Sequence, residues 1–267
     1  MHIALRILIH FLIFVLLTAL TQIGGILWIL TVLSFKRSQQ SYRRKRLVSF
    51  ILLYLIVTFL IVPLLAPLSG REKIQNTDVV VNHSFLTLIL NRNYVTPQLQ
   101  QTLQRSGSKF QKRYPELKIV YLDACFPFFK GFPLLPHLSH NDGRKIDISF
   151  IYSTKNGELT NKKPSVSGYG VFAGPKANEF SQRKLCKQKG YLQYDFTKYL
   201  SFGVPNKNLD FNANATAFLV NLLARDIHTR KIFIEPHLKT RLKLLNSKIR
   251  YQGCQAVRHD DHIHLQL

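Results

Sequence analysis

Acidic residues are scarce in this chain, and the first 70 residues contain none. Across 267 residues there are 14 Asp and Glu against 37 Lys and Arg, which gives a net charge of +23. Cysteine is also rare, with three residues, which cannot staple a chain this long, so a small disulfide scaffold is excluded. Because 46% of the residues are hydrophobic, the chain is neither disordered nor collagen-like.

Two long apolar runs fill residues 1–70. They cover residues 7–35 and 47–68, and each exceeds the roughly 20 residues that a helix needs to cross a bilayer. Six of the seven basic residues in this part lie within residues 36–46, and short loops with this many cations stay cytoplasmic. The sequence therefore predicts a two-helix transmembrane hairpin with a basic cytoplasmic loop and both of its ends on the outer side. A signal peptide followed by one anchor is the alternative.

The rest of the chain, residues 71–267, is basic and long enough for one domain with a core. It holds the other 30 basic residues and all 14 acidic residues, a net charge of +16. Apolar runs from Lys118, from Ile146 and over the last six residues predict strands, and residues 213–227 show helical spacing. Helices and strands do not alternate strictly. We therefore expect an α+β fold with a central antiparallel sheet and flanking helices, on the outer side of the membrane.

Residues 154–190 are polar and rich in glycine and proline, which predicts a surface insertion. A loop of this length in a compact domain is more often functional than idle. Tyr169, Phe172 and Tyr191 are expected to pack this segment down, with the lining of a groove as the alternative.

The three cysteines allow one disulfide. Cys125, Cys186 and Cys254 all lie outside the membrane in the predicted topology, where disulfides form. Three pairings are open, and each leaves one thiol over. None of the three lies in a known thiol-peptidase signature, so nucleophilic cysteine chemistry is not indicated.

Half of the ten histidines fall in two short stretches. The first, PHLSHNDGRKID, offers His137, His140 and Asp147. The second, RHDDHIHLQL, offers the three histidines and two aspartates of residues 259–264. Elsewhere, His237 is expected to be exposed.

The second stretch places two imidazoles on one face of a strand. Side chains alternate along a strand, so His262 and His264 point to the same side. Imidazoles on a buried face must be satisfied, and neutral imidazole is a favoured zinc ligand. A loop that returns His140 beside Asp147 would add one imidazole and one carboxylate. Together with an imidazole of the last strand these make three ligands, and a catalytic zinc keeps its fourth position for water or substrate.

The stretches LSHNDGRKIDI and RHDDHIH resemble the LAS group of zinc peptidases, which includes lysostaphin, D-Ala-D-Ala peptidases and the hedgehog signalling domain. Members of this group share His-x6-Asp, or a shorter spacing, and a later His-x-His. The sequence is most similar to the penicillin-insensitive murein endopeptidase branch, which has a further histidine three residues before its first ligand, as His137 is here. The resemblance covers roughly residues 115–267.

The resemblance implies a set of roles. It implies that His140, Asp147 and His264 hold Zn²⁺. It also implies that His262 acts as general base and that His259 assists near the metal.

The expected function is a membrane-anchored zinc metallopeptidase that hydrolyses peptide bonds of peptidoglycan, a murein endopeptidase. A D,D- or L,D-carboxypeptidase on stem peptides, a non-catalytic zinc-containing module that binds the cell wall, and a metal nuclease are the alternatives. The expected partners are peptidoglycan peptides and, through two N-terminal helices, the lipid bilayer. The predicted location is the bacterial inner membrane, multi-pass, with the domain facing the periplasm or exterior, so no nucleic acid partner is expected.

Overall fold

The computed structural model describes residues 3–35 and 40–267, so part of the predicted basic loop, residues 36–39, lies outside the described residues. The α-helices of the described chain, α1 to α9, are Ile3–Thr21, Gly24–Ser34, Tyr42–Ile56, Val62–Leu65, Phe85–Ile89, Pro97–Arg113, Gln182–Gln188, Ala213–Arg225 and Pro236–Arg241. Its strands, β1 to β11, are Glu72–Lys73, Val80–Asn82, Tyr94–Val95, Ile119–Asp123, Lys145–Ser149, Tyr152–Ser153, Leu159–Thr160, Asp210–Phe211, Lys231–Phe233, Ile249–Arg250 and His262–Gln266. A π-helical segment and two 3-10 segments complete the helical parts: Val57–Ile61, Ala66–Ser69 and Leu192–Leu200.

The chain forms two compact units. Unit 1 comprises the described residues of Met1–Ile74 together with Phe85–Pro97 and Ala124–Gly143. Unit 2 comprises Gln75–Ser84, Gln98–Asp123 and Arg144–Leu267. Unit 1 contains the apolar helices, and unit 2 contains the largest sheet of the described chain.

The first apolar run is divided into two helices. Gln22 and Ile23 separate α1 from α2, and Gln22 has a left-handed φ of 69°. Gly25 packs so closely on α1 that a Cβ there would lie 2.0 Å from Oγ1 of Thr18. Because glycine lacks a Cβ, α2 can fold back along α1. A single helix over residues 7–35, which the sequence predicts, is therefore not formed.

Because α2 folds back along α1, the start of α1 lies near the end of α2. Arg6, near the start of α1, lines the same cleft as Phe35, Arg43 and Arg46. The starts of α1 and α3 therefore lie at one end of the helices. This corrects the expectation that the chain begins at the end opposite the basic segment.

Two helical stretches of the described residues, Ile3–Thr21 and Tyr42–Ser69, are long and apolar enough to cross a membrane. The second packs through Val62 and Ala66 against Tyr94, forming a small apolar core of unit 1. The sequence prediction of two apolar segments of membrane-spanning length is confirmed to this extent.

Unit 2 is built on a six-stranded sheet of order β10-β9-β11-β5-β4-β2. The four inner strands pair antiparallel, but each outer strand, β10 and β2, pairs parallel with its neighbour. The predicted antiparallel sheet is thus a mixed sheet. Two parallel neighbouring strands must be joined by a crossover connection. The crossover from β2 to β4 contains α6, and the crossover from β9 to β10 contains α9. The sequence pattern does not show which strands these helices join, so it did not predict the parallel pairs.

The central pair of strands, β5 and β11, fixes the positions of the candidate residues. Their apolar side chains Ile146, Ile148, Ile263 and Leu265 are fully buried, and burial of each such side chain contributes about 1.5–3 kcal/mol. Since side chains alternate, the remaining positions of both strands share the opposite face.

Within unit 2, a long segment begins directly after β6 and ends at β8, the strand that pairs with β6. β6 pairs with β7 and with β8, so residues 154–209 form a closed excursion that we call the insertion. The predicted segment 154–190 lies inside it. The insertion is not wholly a surface loop, because Lys163 and Tyr169 are buried.

Candidate metal centre and its hydrogen-bond network

Asp147, in the middle of β5, is fully buried and hydrogen-bonded through both of its oxygens. Its Oδ1 lies 2.9 Å from Nδ1 of His264 and 3.6 Å from Nε2 of His262. Its Oδ2 accepts a hydrogen bond of 2.8 Å from the Tyr169 hydroxyl. A buried carboxylate is costly unless it is bonded in this way, so the carboxylate is held in one orientation.

The register of the two central strands produces this arrangement. His264 of β11 lies directly opposite Asp147 of β5, and His262 lies opposite Ser149. Both imidazoles therefore face the same side of the sheet, as the sequence predicts. The rings of His259, His262 and His264 form a cluster, with the His259 ring centroid 5.0 Å and 5.6 Å from those of the other two.

His262 is oriented by the residue before it. Nδ1 of His262 lies 2.6 Å from Oδ1 of Asp261, and both side chains are buried. Burial lowers the pKa of His262, but the negative charges of Asp147 and Asp261 outweigh it and raise the pKa to about 9. A histidine held by a carboxylate at one nitrogen can exchange a proton at the other, which is the arrangement of a general acid or base.

A second group lies within one short stretch of chain, residues 137–147. His137, His140 and Asp147 are buried, and one possible ligand atom from each lies within 4.8 Å of the others. Nδ1 of His140 lies 2.9 Å from the carbonyl oxygen of Ala124, so we assign Nε2 as its ligand nitrogen. Two imidazoles and one carboxylate are a donor set that zinc accepts. The residues present therefore fit the expected metal.

Among the three predicted ligands, Asp147 lies close to both His140 and His264. Asp147 forms the possible metal group with His140, and it contacts His264 directly. His137, to which the resemblance gives no ligand role, is the third member of the group within 137–147.

The roles of two supporting residues, Tyr169 and Gly170, were not foreseen from the sequence. Tyr169 donates to Asp147, and its ring packs edge-on against His262 with 5.1 Å between centroids. The amide of Gly170 donates a 2.7 Å hydrogen bond to Oδ2 of Asp261. The only sequence signal was the aromatic and glycine content of the insertion, which does not specify what these residues contact.

Glu235, which lies between β9 and α9, supports His259. Its Oε1 accepts from the His259 amide at 3.0 Å, and its Oε2 accepts from the Tyr194 hydroxyl at 2.6 Å. Burial, together with the charge of Asp260, raises the pKa of Glu235 to about 7. The network around the histidines therefore contains a carboxyl group that holds a proton near neutral pH.

A buried ionic network anchors the insertion beside the histidines. Arg258 donates to both oxygens of Asp260, at 2.6 and 2.5 Å, and to Asp195 of the insertion at 2.9 Å. His237, expected to be exposed, is instead buried with Nε2 3.6 Å from Asp260. It is buried because Pro236 starts α9 directly after the buried strand segment, which places His237 in the first turn facing this network.

The disulfide joins the same two parts of unit 2. Cys186 of α7 is bonded to Cys254, five residues before the first histidine of the cluster. The sequence allows one disulfide and leaves its pairing open, and the structure contains the pair Cys186–Cys254. Cys125, which is buried, is the cysteine outside it.

Comparison with known protein families and with curated proteins found no match to this chain.

Proposed function

We propose that this chain is a membrane-anchored zinc metallopeptidase that cleaves peptide bonds of peptidoglycan. The observation that carries the proposal is the buried group of two imidazoles and one carboxylate in residues 137–147, whose carboxylate also contacts His264. Buried charges are paired or coordinate metals, and carboxylates commonly hold the second ring nitrogen of metal-binding histidines.

His140 and Asp147 would hold the ion, with His264 as the third protein ligand. When bound, zinc would polarise the scissile carbonyl and lower the pKa of a water molecule. Asp147 is kept in position by Tyr169, so its ligand geometry does not depend on the ion alone.

His262 is the residue that we assign to proton transfer. Its Nδ1 is held by Asp261, and its Nε2 faces Asp147 at 3.6 Å. The charge of an ion held at Asp147 would oppose the rise in the pKa of His262 and so favour its neutral form. In that form His262 would take a proton at Nε2 and return it to the leaving amine. His259, whose ring lies 5.0 Å from that of His262, would donate to the developing oxyanion, a contribution of about 3–4 kcal/mol for one well-placed donor.

The proposal is tested first by metal content. Full-length protein in detergent is expected to bind about one zinc per chain, and Asp147→Ala is expected to lose it. The matched control is Asp210→Ala, since Asp210 is a half-exposed aspartate of unit 2 that pairs with Lys155. Wild-type protein without metal affinity, or retention of zinc by Asp147→Ala, contradicts the proposal.

The third ligand is decided by two further variants. If His264 completes the site, His264→Ala loses zinc and His137→Ala keeps it. The opposite result assigns the third position to His137, which lies in the group within 137–147.

The reaction is decided by the products formed from cross-linked muropeptides, with and without chelator. Chelator-sensitive conversion of dimers to monomers supports an endopeptidase. Shortened stem peptides assign a carboxypeptidase instead. Zinc-dependent binding without any product assigns a non-catalytic module and rejects the enzymatic proposal.

A further inference from the structure

Two adjoining clefts of about 510 Å³ each lie on the insertion. Both are lined by Arg183, Asp195 and Lys198, so the two clefts adjoin at these three side chains, and we call the two together the basic groove. One end reaches Gly170 and Arg258, and the other is formed by α7 and the 3-10 segment Leu192–Leu200.

Positive charge dominates the groove. Among the described residues that line it, Asp195 is the single carboxylate, and it already pairs with Arg183 at 2.8 Å, Arg258 at 2.9 Å and Lys198 at 3.3 Å. Lys184 and Lys187 add two exposed cations to the lining. One negative charge shared among this many cations leaves a field that attracts an anionic ligand.

Exposed aromatic rings lie beside these cations. Exposed Phe196 and Tyr199 line the outer cleft together with half-buried Tyr191, and Tyr199 is 69% exposed. Large exposed rings inside a concave surface indicate a binding site, and flat rings suit the apolar faces of sugars. Cations and aromatic rings together favour a saccharide that carries negative groups.

The inner end of the groove is rigid and leads to the histidine cluster. The guanidinium of Arg258 stacks on the Phe172 ring at 3.8 Å and is bonded to buried Asp260. At the other end of the groove, α7 is fixed by the disulfide of Cys186. Gly170, which lines the groove, donates its amide to Asp261, the partner of His262.

We propose that the basic groove binds a glycan strand bearing carboxylate or phosphate groups and leads it toward the His262 side of unit 2. The direction of the strand rests on the proposed function, whereas the binding itself does not. A membrane surface fits less well, because a flat bilayer contacts protruding residues and these cations line a depression.

The test is binding by the full-length protein in detergent, measured with and without chelator. The anionic probes are murein glycan strands stripped of peptides, which carry carboxylates, and a sugar-phosphate polymer of the teichoic type. The reference probes are neutral chito-oligosaccharide and polyglutamate, which lack charge and sugar rings respectively. We expect at least one anionic glycan to bind at least tenfold more tightly than both references, with affinity falling as salt rises and unaffected by chelator.

Two matched pairs of variants locate the site. Lys184→Gln/Lys187→Gln is expected to weaken glycan binding at least tenfold, whereas Lys162→Gln/Lys207→Gln removes the same charge from exposed positions outside the groove and is expected to change it less than twofold. Tyr199→Ala is expected to weaken binding, whereas Phe202→Ala, at a similarly exposed ring outside the lining, is not.

The outcomes separate the possible ligands. Preference for stripped murein strands assigns the carboxylate source, and preference for the sugar-phosphate polymer assigns the phosphate source. Equal binding of polyglutamate, equal binding of the neutral chito-oligosaccharide, or equal losses of glycan affinity in both lysine pairs overturns the proposal. Glycan binding is also measured on His264→Ala, in which the groove is intact. A failure of the peptidase proposal therefore does not change the outcome of the binding test.

Discussion

The strand face of β5 and β11 and the insertion hold the same histidine cluster in different ways. On the strands, the ladder sets positions, and His264 lies opposite Asp147 because the whole register places it there. In the insertion, single contacts set positions, such as Tyr169 to Asp147 and Gly170 to Asp261. A ladder is cooperative over many residues, whereas a single contact can be removed by one substitution. Substitutions on the strand face should therefore change chemistry with the fold intact, and substitutions around the insertion should change stability first.

The largest effect is expected on the strand face, at His262. Under the proposed function, His262→Ala removes the proton-transfer group and should lower turnover about 10²–10⁴-fold while zinc is retained. Steady-state hydrolysis of muropeptides and zinc analysis of the same preparation measure the two quantities. His228→Ala, at a loop histidine of unit 2, is the control. Normal turnover of His262→Ala would rule out this role.

The comparison also shows which features the sequence could predict. Alternation along IDISFIY and HIHLQL predicted that Asp147, His262 and His264 lie on buried strands, because this pattern is local and periodic. The parallel pairing of β2 and β10 was missed, because it depends on which strands the crossover helices join. Tyr169 was missed because its contact with Asp147 spans 22 residues through irregular chain, where no periodicity indicates direction.

The next effect tests the ionic network that anchors the insertion. Arg258→Met leaves Asp260 buried without its bidentate partner and should lower the free energy of unfolding by about 3–5 kcal/mol. Arg105→Met is the matched control, because its pair with Asp226 is exposed on the arginine side and should contribute less than about 1 kcal/mol. Thermal unfolding of the detergent-solubilised chain measures both. If both variants lost the same free energy of unfolding, the buried network would contribute no more to stability than the exposed ion pair.

The disulfide tests the same attachment by covalent means. Cys186→Ser/Cys254→Ser opens a loop closed across 68 residues and should cost about 2–4 kcal/mol of stability. Unfolding of the wild type under reducing conditions should give the same midpoint as the double variant. A double variant as stable as the oxidised wild type would mean that the ion pairs alone hold the insertion to the segment before the histidines.

Tyr169 tests a direct contact between the two regions, its hydrogen bond to Asp147. Tyr169→Phe removes the hydroxyl that donates to Asp147 but keeps the ring that packs against His262. Loss of such a partner behind a metal ligand typically weakens metal binding about 10–100-fold. Zinc affinity, measured by competition with a chelator, should fall within this range, with no change for Tyr199→Phe at an exposed position. Unchanged affinity would show that β5 alone orients Asp147.

The smallest effect concerns a buried lysine of the insertion and is visible only as a pH dependence. Nζ of Lys163 donates to the carbonyl oxygen of Phe150 at 3.0 Å, and burial lowers its pKa from 10.5 to about 7. Between these values the unfolded chain binds more protons than the folded chain, so the free energy of unfolding rises with pH. From pH 7 to pH 9 we expect a rise of about 2 kcal/mol. Lys163→Met should flatten this rise, while Lys162→Met, at the exposed neighbouring position, should leave it intact. The same slope in both variants would mean that the lysine stays charged within the fold, and that the insertion is more open to water around Phe150 than its packing indicates.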